Sequence, residues 1–271
     1  MATLNILEWN INQRSSDTKN QDFLADEILD KNPDVVILVE FKGDANVQIL
    51  ENKLTEYYIY SYNGTPYDAS KPNKTGNGVF VALNKSRFFN PTLENMIQER
   101  STQKIEKENP NFLAIRAQLL SGKYITLVGM RIRIGGKNEV ITERKEQLEY
   151  ILESFKDDEN IIIVGDFNNG PHWEKESAWN WEKIKKLISS KNFSTPYSPK
   201  GTSWKYATLD WIITKGVSVD KESSYNKLHW DFARHYEKEY FVDGYQVPEG
   251  YFIRNTPTYP DHAILTVEVK L

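Results

Sequence analysis

Four β-branched residues in a row, Ile161-Ile162-Ile163-Val164, run into Gly165-Asp166-Phe167-Asn168, and no other stretch narrows the fold as much. A short, unbroken apolar run ending at glycine reads as a strand buried on both faces, because a half-exposed strand would alternate. Asp166 and Asn168 then stand at the carboxyl end of that strand with their side chains to one side, which is where sheet proteins of the α/β kind hold their ligands.

The same reading places the other elements. Strands are predicted over 4–10, 35–40, 57–62, 78–83, 112–119, 124–134, 161–164, 208–214 and 263–269, with Ser121-Gly122-Lys123 as a hairpin turn. Helices are predicted over 17–30, over 139–155, where Val140, Arg144, Leu148, Ile151, Leu152 and Phe155 follow a helical stripe, and over 173–189. Residues 229–259 read as an irregular aromatic segment, in which Tyr240, Phe241, Tyr245 and Tyr251 form either a wall near the last strand or a surface loop with its own small core. Strands outnumber helices and several are hairpin-linked, so two packed sheets with helices outside are expected. No repeat, low-complexity tract or Gly/Ser linker divides the 271 residues, and a single domain over 1–271 is the expectation.

Composition excludes several kinds of chemistry. With no cysteine there is no disulfide, thiolate nucleophile or cysteine-based zinc site. A formal net charge of -4 argues against a protein that coats nucleic acid by bulk charge, which leaves a local basic cleft as the route to a polyanion. No apolar stretch is long enough for a membrane span, and Met1-Ala2-Thr3-Leu4 enters a strand without a basic and apolar leader, so a cytoplasmic location is expected.

Polar residues recur at the ends of the predicted strands. Asn10 and Asn12 follow the first, Glu40 ends the second, Asp166 and Asn168 follow the isoleucine run, Asp210 lies inside Thr208-Leu209-Asp210-Trp211-Ile212-Ile213, and Asp261-His262 precede the last. Taken singly, each has an ordinary structural reading: Gly-Asp-x-Asn as a turn, Glu40 as a solvated terminus, Asn10 and Asn12 as caps, Asp261-His262 as a turn after Pro260. Asp210 resists that treatment, because an acid within an apolar strand is costly unless paired, and a histidine partner answers the cost. Grouped carboxylates raise one another's pKa, so together they imply a bound cation. With oxygen ligands, no cysteine and four histidines, that cation is Mg²⁺ or Mn²⁺ and not zinc.

Five segments, Glu8-Trp9-Asn10-Ile11-Asn12, Val39-Glu40-Phe41-Lys42, Gly165-Asp166-Phe167-Asn168, Leu209-Asp210-Trp211-Ile212 and Pro260-Asp261-His262, resemble in that order the endonuclease/exonuclease/phosphatase superfamily. Its members include deoxyribonuclease I, exonuclease III, neutral sphingomyelinases and inositol-polyphosphate 5-phosphatases. The resemblance implies a four-layer α/β/β/α sandwich of two mostly antiparallel sheets, with the site at one edge. It makes Glu40 the principal metal ligand, with Asp261 and Asn12 nearby directly or through water, and makes Asp166 the group that orients and deprotonates the attacking water. Asn10 and Asn168 would give amide hydrogen bonds to phosphoryl oxygens and hold the site's geometry, while Asp210 would fix the tautomer of His262 and raise its pKa so that an imidazolium faces the phosphate. Lys42, Asn77 and Trp204 lie in loops that flank the site in relatives and are the expected substrate contacts.

The chain departs from the family in two places. Arg131, in Leu127-Val128-Gly129-Met130-Arg131-Ile132-Arg133, stands where most members carry histidine and the exonuclease III branch tyrosine. Arginine clamps a phosphate well but gives up no proton near neutral pH, so a metal-bound water or an acidic leaving group would have to serve in its place. Thr208 stands where nucleases of the family often place arginine. The function implied is divalent-metal-dependent hydrolysis of phosphate esters, with DNA as the leading substrate and a small phosphate ester or lipid head group as the second. A catalytically inactive binding scaffold comes third, since Glu40, Asp166, Asn168, Asp210 and His262 are all present.

Overall fold

In the computed structural model, whose described residues are 3–12, 23–42, 45–62, 78–93, 111–133, 138–171, 179–203, 207–232, 239–242, 245–248 and 260–271, the apolar runs build two sheets. The first contains β1 (Thr3–Asn10), β2 (Val35–Phe41), β3 (Tyr57–Tyr62), β4 (Gly78–Asn84), β10 (Ser218–Val219), β11 (Lys227–His229) and β14 (Ile264–Lys270), in the order β10-β14-β1-β2-β4-β3, with β11 also on β14. The second is β5 (Phe88–Leu93), β6 (Asn111–Leu119), β7 (Tyr124–Arg131), β8 (Ile161–Asp166) and β9 (Asp210–Lys215), in chain order. A separate hairpin pairs β12 (Glu239–Val242) with β13 (Tyr245–Pro248). Neighbours are antiparallel except β1–β2 and β7–β8. Those two parallel pairs need a crossover, supplied by α1 (Phe23–Lys31) in the first case and α3 (Asn138–Ser154) in the second.

Period-two alternation decides what faces what. Along β1, Leu7 and Trp9 join Val36, Leu38, Phe80 and Ala82 in a core closed by Leu24, Ala25 and Ile28 of α1 and by Leu50 of α2 (Ala45–Lys53). Leu4 and Ile6 point the other way, and with Val35, Ile37 and Val39 they meet the second sheet. On the far side of that sheet Phe112 lies edge-on to Phe155 and beside Tyr150, with Ile151 and Leu152 of α3 and Ile184 and Ile188 of α4 (Trp181–Ser190) in the same core. Helices, sheet, sheet and helices thus make the expected four layers.

Gly129 sets how closely the two sheets approach. A Cβ there would lie 2.7 Å from Ile37 Cγ2 and 2.8 Å from Val79 Cγ1 on the opposite sheet. Gly129→Ala is therefore expected to lower the unfolding free energy by about 1–3 kcal/mol through overpacking, seen as a lower urea midpoint. An unchanged midpoint would mean that the layers yield there.

Several boundaries differ from the sequence reading. The strand expected over 124–134 ends at Arg131 and the one over 208–214 begins at Asp210. The expected helices appear as Phe23–Lys31, Asn138–Ser154 and Trp181–Ser190, while residues 13–22 and 172–178 lie outside the described set. The segment over 229–259, expected to be irregular, contains the β12–β13 hairpin. Elements α2, β5, β10 and β11 were not anticipated. Pro91 hides β5, since proline argues against a strand unless the strand sits at an edge, and β5 is the edge of its sheet.

Candidate active site

Register assembles the site. Leu127, Gly129 and Arg131 of β7 lie beside Ile162, Val164 and Asp166 of β8, and these beside Thr214, Ile212 and Asp210 of β9. Gly129 faces the first sheet, so this whole row does, and at its end three charged side chains, Arg131, Asp166 and Asp210, follow one another across the inner face. The first sheet contributes Asn10 at the end of β1 and Asp261-His262 at the entry to β14. Apart from the half-buried Asp261, all of these side chains are buried.

Glu40 reaches the site by breaking the rule that places its neighbours. Val39 faces the second sheet, so strict alternation would turn Glu40 outward and Phe41 inward, yet Phe41 packs in the outer core. The register to β4 shifts between Val39 and Phe41, and Glu40 adopts φ +53, a bulge that re-aims its side chain. Asn12 and Asn168 also have left-handed backbones, at φ +49 and +46, but asparagine tolerates that region, whereas for glutamate it costs on the order of 1 kcal/mol. The re-aimed carboxylate meets Arg131, whose Nε donates to Glu40 Oε1 at 2.7 Å and whose Nη2 lies 2.7 Å from the same oxygen. Burial works against the charge of Arg131, yet Glu40 and then Asp166 outweigh it and raise the guanidinium's pKa further.

Asp166 is held by the two asparagines. Asn10 Nδ2 donates to its Oδ2 at 3.1 Å, Asn168 Nδ2 to the same oxygen at 2.9 Å, and the Asn168 backbone N–H to its Oδ1 at 2.7 Å. Asn10 Oδ1 in turn accepts from the backbone N–H of Asn12, and Asn168 Nδ2 also donates to the Ile132 carbonyl. Gly165 permits this arrangement: at φ +148 a Cβ would fall 1.9 Å from the Met130 carbonyl oxygen. Burial, reinforced by the charge of Asp210, pushes the Asp166 carboxyl up to about 7. An acid poised there is a base of the right strength for neutral pH.

Asp210 Oδ2 lies 2.6 Å from His262 Nδ1. Burial opposes a charged imidazole, but Asp210, by charge and hydrogen bond, together with Asp261 and Asp166, holds its pKa well above the ordinary 6.5. The backbone around the pair is fixed as well. Trp9 Nε1 donates to the His262 carbonyl, Ala263 N–H to the Thr202 carbonyl, and Thr202 Oγ1 accepts from the N–H groups of Leu209 and Asp210. Thr208, in the family's arginine position, accepts from the Gly201 N–H and so serves the loop.

Of the expected substrate contacts, Lys42 is half-buried just past β2, and Asn77 and Trp204 lie outside the described residues. The oxygen donors Glu40, Asp261 and Asn12 suit a hard cation. Burial raises the Asp261 carboxyl, opposed by His262 and reinforced by Glu40, and a cation would relieve that crowding. Among the described residues no group of three or more His, Cys, Asp and Glu side chains is placed to hold a metal ion.

Three residues of the site were not singled out from sequence. Arg144 of α3 donates to the Asn168 carbonyl and adds positive charge near Asp166, although the helical stripe marked it only as inward-facing. Thr202 carried no signal. Glu8 did: it is an acid within an apolar strand, the criterion that drew attention to Asp210, and it is fully buried.

The family described as Endonuclease/Exonuclease/phosphatase matches residues 7–231. Among solved structures, D. rerio TDP2 complexed with single-strand DNA product superposes with a TM-score of 0.63 at 17% identity, covering 100% of both chains. An endonuclease/exonuclease/phosphatase from Beutenbergia cavernae DSM 12333 gives 0.65 at 14% identity over 100% of this chain and 72% of the other. ANGEL2, a 2′,3′-cyclic phosphatase, in complex with adenosine-2′,3′-vanadate, gives 0.60 at 13% identity over 99% and 96%. No curated protein matches the sequence. At these identities the structures share the fold.

Proposed function

The chain belongs to the endonuclease/exonuclease/phosphatase family, and we propose that it is a divalent-metal-dependent phosphoesterase that cleaves DNA phosphodiesters by in-line attack of water. The observation that carries this reading is the buried row of Arg131, Asp166 and Asp210, with His262 on Asp210 and two asparagine amides on Asp166. Asp166 takes the proton of the attacking water, and Asn10 and Asn168 keep its carboxylate aimed. The His262 imidazolium, oriented by Asp210, offsets negative charge that builds on the phosphoryl oxygens, and Arg131 lies within the same row to clamp them. Glu40, Asp261 and Asn12 would hold Mg²⁺, which supplies Lewis-acid polarisation of the phosphate.

A second substrate class, small phosphate esters, is favoured by Arg131 itself. A guanidinium in the family's histidine or tyrosine position cannot protonate a departing alkoxide, so esters with acidic leaving groups are expected to turn over fastest. The test is hydrolysis by purified protein of supercoiled DNA, single-stranded DNA, RNA, an aryl phosphodiester and inositol phosphates, with Mg²⁺, Mn²⁺ or chelator. Metal-dependent nicking that weakens steeply with salt supports the nuclease, because several phosphate contacts release counterions. Salt-insensitive turnover of small esters alone moves the assignment to a phosphatase, and no turnover of any of them overturns it.

A further inference from the structure

Asn168 turns its donors to the site. Its backbone N–H and its Nδ2 hold the two carboxyl oxygens of Asp166 at 2.7 and 2.9 Å, and Nδ2 also reaches the Ile132 carbonyl just past β7 at 2.7 Å. That grip goes with a left-handed backbone at φ +46, which asparagine tolerates but does not enforce. The carbonyl of the same residue accepts from Nη2 of Arg144, a half-buried side chain in the first half of α3. The loop is clamped again from β9: Trp211 Nε1 donates to the Asn169 carbonyl at 2.9 Å, and a Cβ on Gly170 would lie 2.1 Å from the Thr208 carbonyl oxygen. About one turn along α3 from Arg144, the buried Gln147 accepts the Arg133 N–H at 3.0 Å. One helix thus ties down the chain just past β7 and just past β8, the strands that end on Arg131 and Asp166.

We propose that Arg144 is a positioning residue: by fixing the Asn168 carbonyl, its guanidinium keeps Asn168 in the backbone conformation that aims the Asp166 carboxylate at the attacking water. A cation suits the task, because a charged donor holds a carbonyl roughly twice as strongly as a neutral one. Burial works against the charge of Arg144, and the Asp166 carboxylate supports it, so the cation stands where the base needs it. In this role Arg144 touches no reacting atom, and its loss is felt in turnover, not in substrate binding. The inference rests on the hydrolase reading for that catalytic consequence, whereas the clamp on Asn168 is independent of it.

The experiment compares wild type, Arg144→Met and Arg144→Lys by amide hydrogen exchange and by steady-state hydrolysis of an aryl phosphodiester with Mg²⁺. Methionine keeps an unbranched stem without the donor, and lysine keeps a charged donor on a stem of similar reach. In Arg144→Met the Asn168 N–H is expected to exchange about 10–100-fold faster, the effect of losing one hydrogen bond to a charged group. The amides of Ile162, Ile163 and Val164 in β8 are expected to keep their wild-type protection, which also shows that the variant folds. The kcat of Arg144→Met is expected to fall by about 10–100-fold with KM unchanged, and Arg144→Lys to recover most of both losses. Wild-type exchange at Asn168 in Arg144→Met, or faster exchange spread evenly over β8 and α3, would overturn the proposal. So would a raised KM with kcat intact, which would make Arg144 a substrate contact, or a lysine variant that behaves like the methionine one. A wild type that hydrolyses no ester would refute the hydrolase reading, and the exchange rates alone would then decide whether Arg144 holds Asn168.

Discussion

Asp166→Asn is expected to slow hydrolysis by about 10²–10⁴-fold, the usual contribution of a positioned base, while making the metal-free protein more stable at neutral pH. Both effects come from one buried carboxyl. Its pKa lies at about 7 in the fold, pushed there by burial and Asp210, against an ordinary 3.8. Between those two values the unfolded chain has released a proton that the folded chain still holds, so unfolding becomes easier as pH rises through the window. Above it the folded state carries the whole penalty of a buried anion, up to about 4 kcal/mol by linkage. Asparagine keeps the shape and has no proton to lose. Urea denaturation at about pH 4 and about pH 8 should therefore show wild type weakening with pH and the variant weakening less, with the two converging at the acid end. Equal slopes would remove Asp166 as the titrating group, and a variant that keeps its activity would remove it as the base.

How far the site could be read from sequence varies residue by residue, and the reason is geometric. Asp166, Asp210 and His262 were accessible because each sits at or beside a strand whose apolar run announces burial, and a buried acid demands a partner. Two packed sheets with helices outside followed from the same runs, and the four-layer arrangement from the resemblance to the family. Glu40 was marked by its place at a strand end and by the family's motif, but its inward aim was not legible: alternation from Val39 turns it outward, and nothing local marks the bulge that brings it in. Arg144 was placed on the correct helix face, but which carbonyl it reaches depends on tertiary packing. Element β5 was missed because it contains Pro91, and α2, as long as α1, has no acidic first turn to announce it. The pairing of Arg131 with Glu40 lay beyond sequence altogether, because their contact requires both the bulge in β2 and the register of β7.

That pairing sets the second large effect. Glu40→Ala is expected to destabilise the protein by about 3–5 kcal/mol, because it leaves the Arg131 guanidinium, 4% exposed, buried without its carboxylate. It is also expected to abolish any stabilisation by Mg²⁺. Arg131→Met poses the converse case, a buried Glu40 carboxylate relieved of a competing cation. Mg²⁺ is then expected to raise its melting temperature more than that of wild type, since stabilisation by a ligand grows with the affinity of the folded state for it. The double variant Glu40→Gln/Arg131→Met removes both charges and fills the space with uncharged groups, so it should recover much of the stability that Glu40→Ala loses without recovering hydrolysis. Melting curves against Mg²⁺ concentration for the four proteins decide the matter. A Glu40→Ala protein that Mg²⁺ still stabilises would place the cation elsewhere. An Arg131→Met protein that responds no more than wild type would show that the guanidinium and the metal do not compete for this carboxylate.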